Sequence, residues 1–485
     1  MAGIPSNLNE SFKAIARKGE VYDKEDSPTD RYYALLTEVE NVTYSEGGKK
    51  LWSIDFEIVP FEWMESAVLS QTEATRGPPP SGPASLLAFD EAAPDDIAKA
   101  LTTPVDEVVE GEWYIITLGK GGVAAKRANA VALPSIRQVK AKGFKAPRRQ
   151  QRKLNMRFRP VFRFSAKDLK KLLAGLVPRE IGVMDVGQAG CNLVYDDQGV
   201  PQFYVDVGFP LFPNLASLPP ANGLGNIEIH NPGPCLGNNP AVILTHFHWD
   251  HYAMARVSTN AGALVDRNWI VPNQVAGGAA WVFLNNILAS PNGQLHVFPV
   301  ALAGIVGGNV NVIQCVPVLG IAAGNLNNSG LAAVVKMTNL LPNRTLLPGD
   351  AAFQAIPGVG AIVGLRWMTA THHGSDTDLI PLVGPSPIPA PQVVNQGRIA
   401  YSYGINGGVG GLHCYGHPDA PAVAAYQGRG WGVGGVGGGF VASTAETGPN
   451  SGVAGRGNIM MCSNVMPPAC GVANCPFHAF PKLLI

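Results

Sequence analysis

Three of the chain's ten histidines fall within six positions, in Thr245-His246-Phe247-His248-Trp249-Asp250-His251. Imidazole and carboxylate together suit a borderline divalent cation, and the geometry of such a set matters more than raw affinity. The run follows the apolar stretch Ala241–Leu244. A strand ending there sets the four groups in the loop at its carboxyl end, where layered α/β folds build their sites. The spacing suits two adjacent metal positions, with His246 and His248 at one and Asp250 and His251 at the other. Further downstream, "LLPGDA" carries Asp350, "ATHHGSD" carries His372 and His373, and "CYGHP" carries His417. Each of these alone reads as an ordinary turn or loop.

Taken together and in order, these segments resemble the metallo-β-lactamase-fold hydrolases, through His246-x-His248-x-Asp250-His251. "MDVGQAGCNLVY" (184–195), "ATHHGSD" and "CYGHP" are similar to the ComEC-type branch, the hydrolase domains of DNA-uptake proteins and their soluble relatives. "FYVDVG" supplies Asp206, matching the family's strand aspartate. The resemblance covers roughly 180–460. It implies an α/β fold, an αββα metallo-β-lactamase sandwich, here preceded by a smaller β-rich N-terminal domain. It also implies two divalent ions, zinc or manganese, with Asp350 bridging them and Asp250 orienting the nucleophile. One of His372 and His373 is implied as a ligand and the other as a substrate-facing donor; we lean to His373 as ligand and His372 as catalytic. His417 is a candidate donor to an anionic oxygen or leaving group, with Tyr403 and Asn406 as weaker candidates nearby.

The sequence departs from the family in two places. The interval before Asp350 offers only His296, which sits in a strand-like stretch, where many members carry a third ligand histidine. At the matching place stands "NLNNSGLAAVV", with Asn327, Asn328 and Ser329, again similar to the ComEC-type branch. Harder oxygen donors make manganese as plausible as zinc. The acidic residue usual after "GQG" is also missing.

The branch implies a phosphodiesterase or nuclease, since paired cations suit in-line attack at phosphate. The alternatives are a lactone, thioester or other carboxylic-ester hydrolase on the same fold, and a non-catalytic nucleic-acid-binding protein. The one strong charge run, "APRRQQRKLNMRFRPVFRF" (146–164), includes Arg157 and Arg159 and interleaves phenylalanines. It fits a nucleic acid or nucleotide partner, but equally a solvated linker or an ordinary strand.

Composition sets the frame. The chain has 485 residues, 46% apolar and 15% charged, enough for two or three domains with large cores. Thirty-six basic and 36 acidic residues cancel, so only a local patch argues for nucleic acid. Seven scattered cysteines, with no apolar leader or membrane-length run, read as a reduced, cytoplasmic protein with no membrane partner. Cys470, Cys475 and His478 have a spacing that could hold an additional structural zinc.

The expected organisation follows the texture of the chain. Residues 1–145 form a β-rich accessory domain, available for a protein partner or for gating the site. In it "KLWSIDFEIV" alternates as a half-buried strand, with Ser53, Asp55 and Glu57 on the polar side, and "GEWYIITLGKGG" ends in a glycine turn. A basic linker and a short helix occupy 146–179. The hydrolase domain runs 180–460, and a Cys/His-containing tail runs 461–485.

Overall fold

The computed structural model describes residues 30–43, 50–69, 84–129, 137–160, 166–187, 189–209, 239–258, 261–299, 302–318, 325–338, 343–375, 388–393, 397–403, 417–432, 440–443, 458–461 and 482–484. The fold is mixed α/β, with three sheets and fewer helices. The Cys470, Cys475 and His478 set, Asn406, and the proline-rich loop 76–83 lie outside the described residues.

The N-terminal sheet contains β1 (Asp30–Thr43), β2 (Lys50–Pro60), β3 (Ser85–Ala92), β4 (Trp113–Asn129) and β5 (Arg137–Lys145). All its pairings are antiparallel, and β1 also pairs with β4, so four strands close into a ring. Closure pairs both edges of these four strands, while β5 joins only β4. The glycine turn expected after Leu118 is instead a bend within one long strand. There the register against β5 jumps, with Leu118 and Val123 both opposite Ala141. A Cβ on Gly122 would lie 2.4 Å from the Ala141 carbonyl oxygen, so only glycine lets the two backbones come that close.

The second sheet has the order β11 (Gln294–Val297), β10 (Asn268–Val271), β9 (Ala241–Ile243), β8 (Pro201–Val207), β7 (Cys191–Tyr195), β6 (Glu180–Val183), β19 (Asn458–Met461) and β20 (Lys482–Leu484). The third has the order β12 (Gly304–Gly307), β13 (Val310–Gln314), β14 (Leu331–Lys336), β15 (Arg344–Leu347), β16 (Leu365–Thr369), β17 (Arg398–Tyr401) and β18 (Phe440–Ser443). Strand alternation gives each sheet two apolar faces. Val194, Val205 and Ile243 meet Val312, Ala333 and Trp367 in one core between the sheets. Leu193, Tyr204 and Trp269 point the other way, onto the helix Gly278–Ala289 and the N-terminal sheet. Met368 and Ile399 cover the outer face of the third sheet with the helix Ala420–Gly428. Burying side chains of this size contributes roughly 1.5–3 kcal/mol each. Among the described residues no helix is long and apolar enough to cross a membrane.

Over its described residues the basic run is helical rather than a strand. Arg148–Arg157 is a helix entered from Pro147, whose fixed φ suits a helix start. Its Leu154, and Phe158 just after it, are buried, and the Phe158 ring lies 5.3 Å from Trp113 and 5.8 Å from Trp281. The period is therefore helical, which leaves Arg148, Arg149, Arg152 and Lys153 exposed on one side.

The polar side of β2 also departs from expectation, because Ser53, Asp55 and Glu57 are all buried. Glu57 reaches the start of the helix Gly278–Ala289, where its Oε2 accepts from the N–H groups of Ala279 (2.8 Å) and Ala280 (3.1 Å). A carboxylate there satisfies two donors that a helix cannot satisfy itself. Its Oε1 accepts from the Tyr252 hydroxyl at 2.7 Å. A Cβ on Gly277 would sit 2.1 Å from Glu57 Oε2, which explains why glycine precedes the helix.

Burial pushes Glu57 up from about 4.5 to about 7, against the pull of its hydrogen bonds. A carboxyl raised in the folded state contributes stability that is fully present below about 4.5 and lost as pH climbs through about 7. The swing is about 3 kcal/mol. Glu57→Gln keeps a neutral group but turns an amide N–H₂ toward either the Ala279 and Ala280 donors or Tyr252. It is expected to be about 1–3 kcal/mol less stable than wild type at pH 5. Because only the wild type loses stability with rising pH, the gap should close by pH 8.5. Urea unfolding at both pH values checks this, and a gap that ignores pH would refute it.

Candidate metal centre

The site forms where strands of the second and third sheets end. After β9, Leu244 and Thr245 lead to His246 and His248, and a single helical turn, Trp249–Tyr252, carries Asp250 and His251. Asp350 follows β15 through Gly349, whose φ of +59° favours glycine and whose Cβ would collide with Thr245. His372 and His373 follow β16, both with left-handed backbones (φ 43° and 54°) that strand-to-loop reversal requires here. Strain of this kind persists only where surrounding contacts enforce it.

Two donor groups result. Asp250, His251, Asp350 and His373 each offer an atom within 4.8 Å of the others, and so do His246, His248 and Asp350. Asp350 belongs to both. His251 Nε2 is 3.0 Å from Asp350 Oδ2 and 3.7 Å from Asp250 Oδ2. His373 Nε2 is 3.1 Å from Asp250 Oδ2, and His246 Nε2 is 3.6 Å from Asp350 Oδ2. All these histidines and Asp350 are buried.

The surrounding hydrogen bonds decide which ring nitrogens turn toward the donor groups. Asp206, at the end of β8, accepts from Thr245 N–H (2.8 Å), Thr245 Oγ1–H (2.9 Å) and His251 Nδ1–H (2.8 Å). With its one proton given to Asp206, the threonine hydroxyl can only accept from His246 Nδ1, 3.0 Å away. His373 Nδ1–H donates to the Ser402 carbonyl at 2.7 Å. His246, His251 and His373 therefore all turn Nε2 inward, the arrangement outer partners impose on metal-binding imidazoles. His246 Nε2 and His248 Nε2 are buried with no hydrogen-bond partner, which is costly unless a cation takes the lone pairs. The residues fit divalent metal, with nitrogen and carboxylate donors mixed as zinc and manganese both accept.

The charges fit the same pattern. Burial, then the neighbouring imidazoles of His251 and His248, hold His246 well below its ordinary value, and burial also lowers His248. Burial would lower His251 too, but Asp350, Asp250 and Asp206 outweigh it and hold it well above. Burial pushes Asp350 and Asp250 up, yet the imidazoles prevail, with His251 first, and keep both below the usual carboxylate range. Buried carboxylates thus face a cationic imidazole here, and a bound metal would bring equivalent positive charge.

Other expected residues sit around these groups. His372 belongs to neither donor group; its ring lies 5.8 Å from that of His417, which is also buried. Asn328 is engaged in support: its Oδ1 accepts from Ala352 N–H (2.9 Å) beside Asp350, and its amide and backbone N–H groups donate to Asn325 Oδ1. The Ser329 hydroxyl donates to the Asn325 carbonyl at 2.7 Å and accepts from Gln274. Of that trio, Asn327 Oδ1 is buried with no hydrogen-bond partner. Tyr403 is buried in the core outside the third sheet. Arg157 ends the basic helix and Arg159 lies exposed just beyond it. His296, on β11, pairs with Asn268 at 3.1 Å. Sequence reading missed Thr245, Gln274, Asn325 and Ser402, whose supporting hydrogen bonds include partners far along the chain. Thr245 carries the one available signal, its position between a strand and the first histidine.

Thr245→Val keeps the shape and removes the hydroxyl that seats His246 and Asp206. Affinity for Zn²⁺ or Mn²⁺ is expected to fall about 10–100-fold. Competition against a chromogenic chelator measures it, and an unchanged affinity would exclude the seating role.

A search of protein-family models gives no match to this chain, and none of the curated proteins matches it.

Proposed function

We propose that the chain is a metal-dependent hydrolase of the metallo-β-lactamase fold, in the ComEC-type branch, that cleaves phosphodiesters in nucleic acid or a nucleotide. The observation that carries this reading is the pair of buried donor groups sharing Asp350. Divalent ions held there would acidify a water to a pKa near 7 and offset charge on substrate oxygens. Asp350 would serve both positions, His246 and His248 one, and His251 and His373 the other. Asp250, held ionised by His251 and His373, accepts a hydrogen bond from the attacking water and orients it. His372 and His417, adjacent but outside the donor groups, face the anionic oxygen or the leaving group. Supporting a phosphodiester over a carboxylic ester are the Asn327–Ser329 turn in place of a third ligand histidine and the exposed basic side of the helix Arg148–Arg157.

The test is a cleavage screen of single-stranded DNA, RNA, duplexes, cyclic nucleotides and a chromogenic lactone, with Mn²⁺ or Zn²⁺. Phosphodiester cleavage should appear with the wild type and drop about 10²-fold or more in Asp250→Asn. Lactone turnover without phosphodiester cleavage would overturn the substrate class, and full activity in Asp250→Asn would overturn the site.

The basic side of the helix is tested separately. Deletion would remove the buried Leu154 and Phe158, so replacing Arg148, Arg149, Arg152 and Lys153 by alanine is the cleaner change. Binding of single-stranded DNA to the Asp250→Asn protein should weaken, and its log–log salt slope should flatten by about 3. An unchanged slope would remove this surface from substrate binding.

A further inference from the structure

The N-terminal sheet sends a carboxylate into the metal centre. Along β1, Tyr32, Ala34 and Leu36 face the sheet's own core, while Tyr33 and Leu35 face the metal-bearing half. Strict alternation would put Glu38 with Leu36, inside the apolar core. A bulge prevents this. Leu36 lies opposite Phe56 but Glu38 lies opposite Asp55, leaving Thr37 as the extra residue. The phase therefore flips: Val39 joins the core side and Glu38 takes the side of Glu57. Thr37 Oγ1 donates to the Asp55 carbonyl at 3.1 Å and pins the bulge.

The re-aimed Glu38 places Oε1 3.3 Å from His372 Nε2. A second tie fixes the strand just beyond. Glu110 Oε1 accepts from Val39 N–H (3.3 Å), and its Oε2 accepts from Asn325 Nδ2 (2.8 Å). Asn325 in turn holds Asn328, which holds the backbone at Ala352. Glu38 is thus clamped to the same frame that carries Asp350.

We propose that Glu38 is a positioning residue of this centre: its carboxylate accepts from His372 Nε2–H and fixes that imidazole's tautomer and orientation. Nδ1 is then the ring's unprotonated nitrogen. The proposal rests on the hydrolase reading for its kinetic consequence, but not for the tautomer, which is a property of the protein alone. It makes the N-terminal sheet a contributor to the reaction chemistry.

Two measurements on the full chain test it. The first is long-range ¹H–¹⁵N spectroscopy of ¹⁵N-histidine protein, with His372 identified by its loss in His372→Asn. The Nε2–H form should be seen in wild type, kept in Glu38→Gln, whose amide oxygen still accepts, and lost or mixed in Glu38→Ala. An unchanged His372 tautomer in Glu38→Ala would overturn the proposal even if no substrate had been found. The second is kinetic, with metal content measured alongside. Glu38→Ala should lower kcat about 10–100-fold with KM little changed and metal content intact. Glu38→Gln should recover most of that loss. Adding Glu38→Ala to His372→Asn should cost nothing further. Independent, additive losses, or a Glu38→Ala enzyme as active as wild type or faster, would overturn the positioning role. The faster enzyme would mean that Glu38 blocks the site.

Discussion

The centre is organised by one buried carboxylate that is not among its candidate ligands. Asp206 takes three hydrogen bonds from Thr245 and His251. They set the direction of the threonine hydroxyl, and through it the ring nitrogen that His246 turns inward. Burial pushes Asp206 up, and His251 and Thr245 only partly offset this. An ionised Asp206 is tolerable only while those donors stay in place. The loop after β9, the short helix carrying His251 and the close approach of Gly349 to Thr245 are all arranged around that requirement.

Local chemistry was legible in the sequence where neighbours in the chain are neighbours in space. His246, His248, Asp250 and His251 could be grouped from spacing alone. Strands β2, β4 and β9 follow from alternating or apolar runs in the sequence. Period was harder to judge. Arg and Phe near residues 148–164 alternate closely enough to suggest a strand, but Leu154 and Phe158, four apart, are the positions that pack, and they make a helix. β2 looked half-exposed because Asp55 and Glu57 are acidic. A buried carboxylate is invisible to pattern reading when its partners, here Ala279 and Ala280, lie 222 and 223 residues away. The grouping of Asp350 and His373 with the histidine run came from resemblance, since nothing local joins them.

The N-terminal sheet is bound to the rest of the chain by more than apolar contact. Three carboxylates cross over: Glu57 of β2 to a helix start, Glu38 of β1 to His372, and Glu110, in the turn before β4, to Asn325. Carboxylates at such a boundary give it register, because each must find its own donor or remain unpaired away from water. Apolar side chains such as Tyr33, Leu35 and Trp113 share a core with the helix Gly278–Ala289. The boundaries expected near 145 and 180 therefore divide the sequence without dividing that core.

The Glu38–His372 pairing spans 334 residues, and this bears on the order in which the chain takes shape. A growing chain presents β1 and β2 long before the residues they meet have been made. Contacts so distant in sequence form late, because the loop they close must first be brought together. Until then, Glu38 and Glu57 remain in water, which keeps the unfinished surface charged and discourages premature association. The groups that later fix the centre in place would first serve to keep the nascent chain apart from its neighbours.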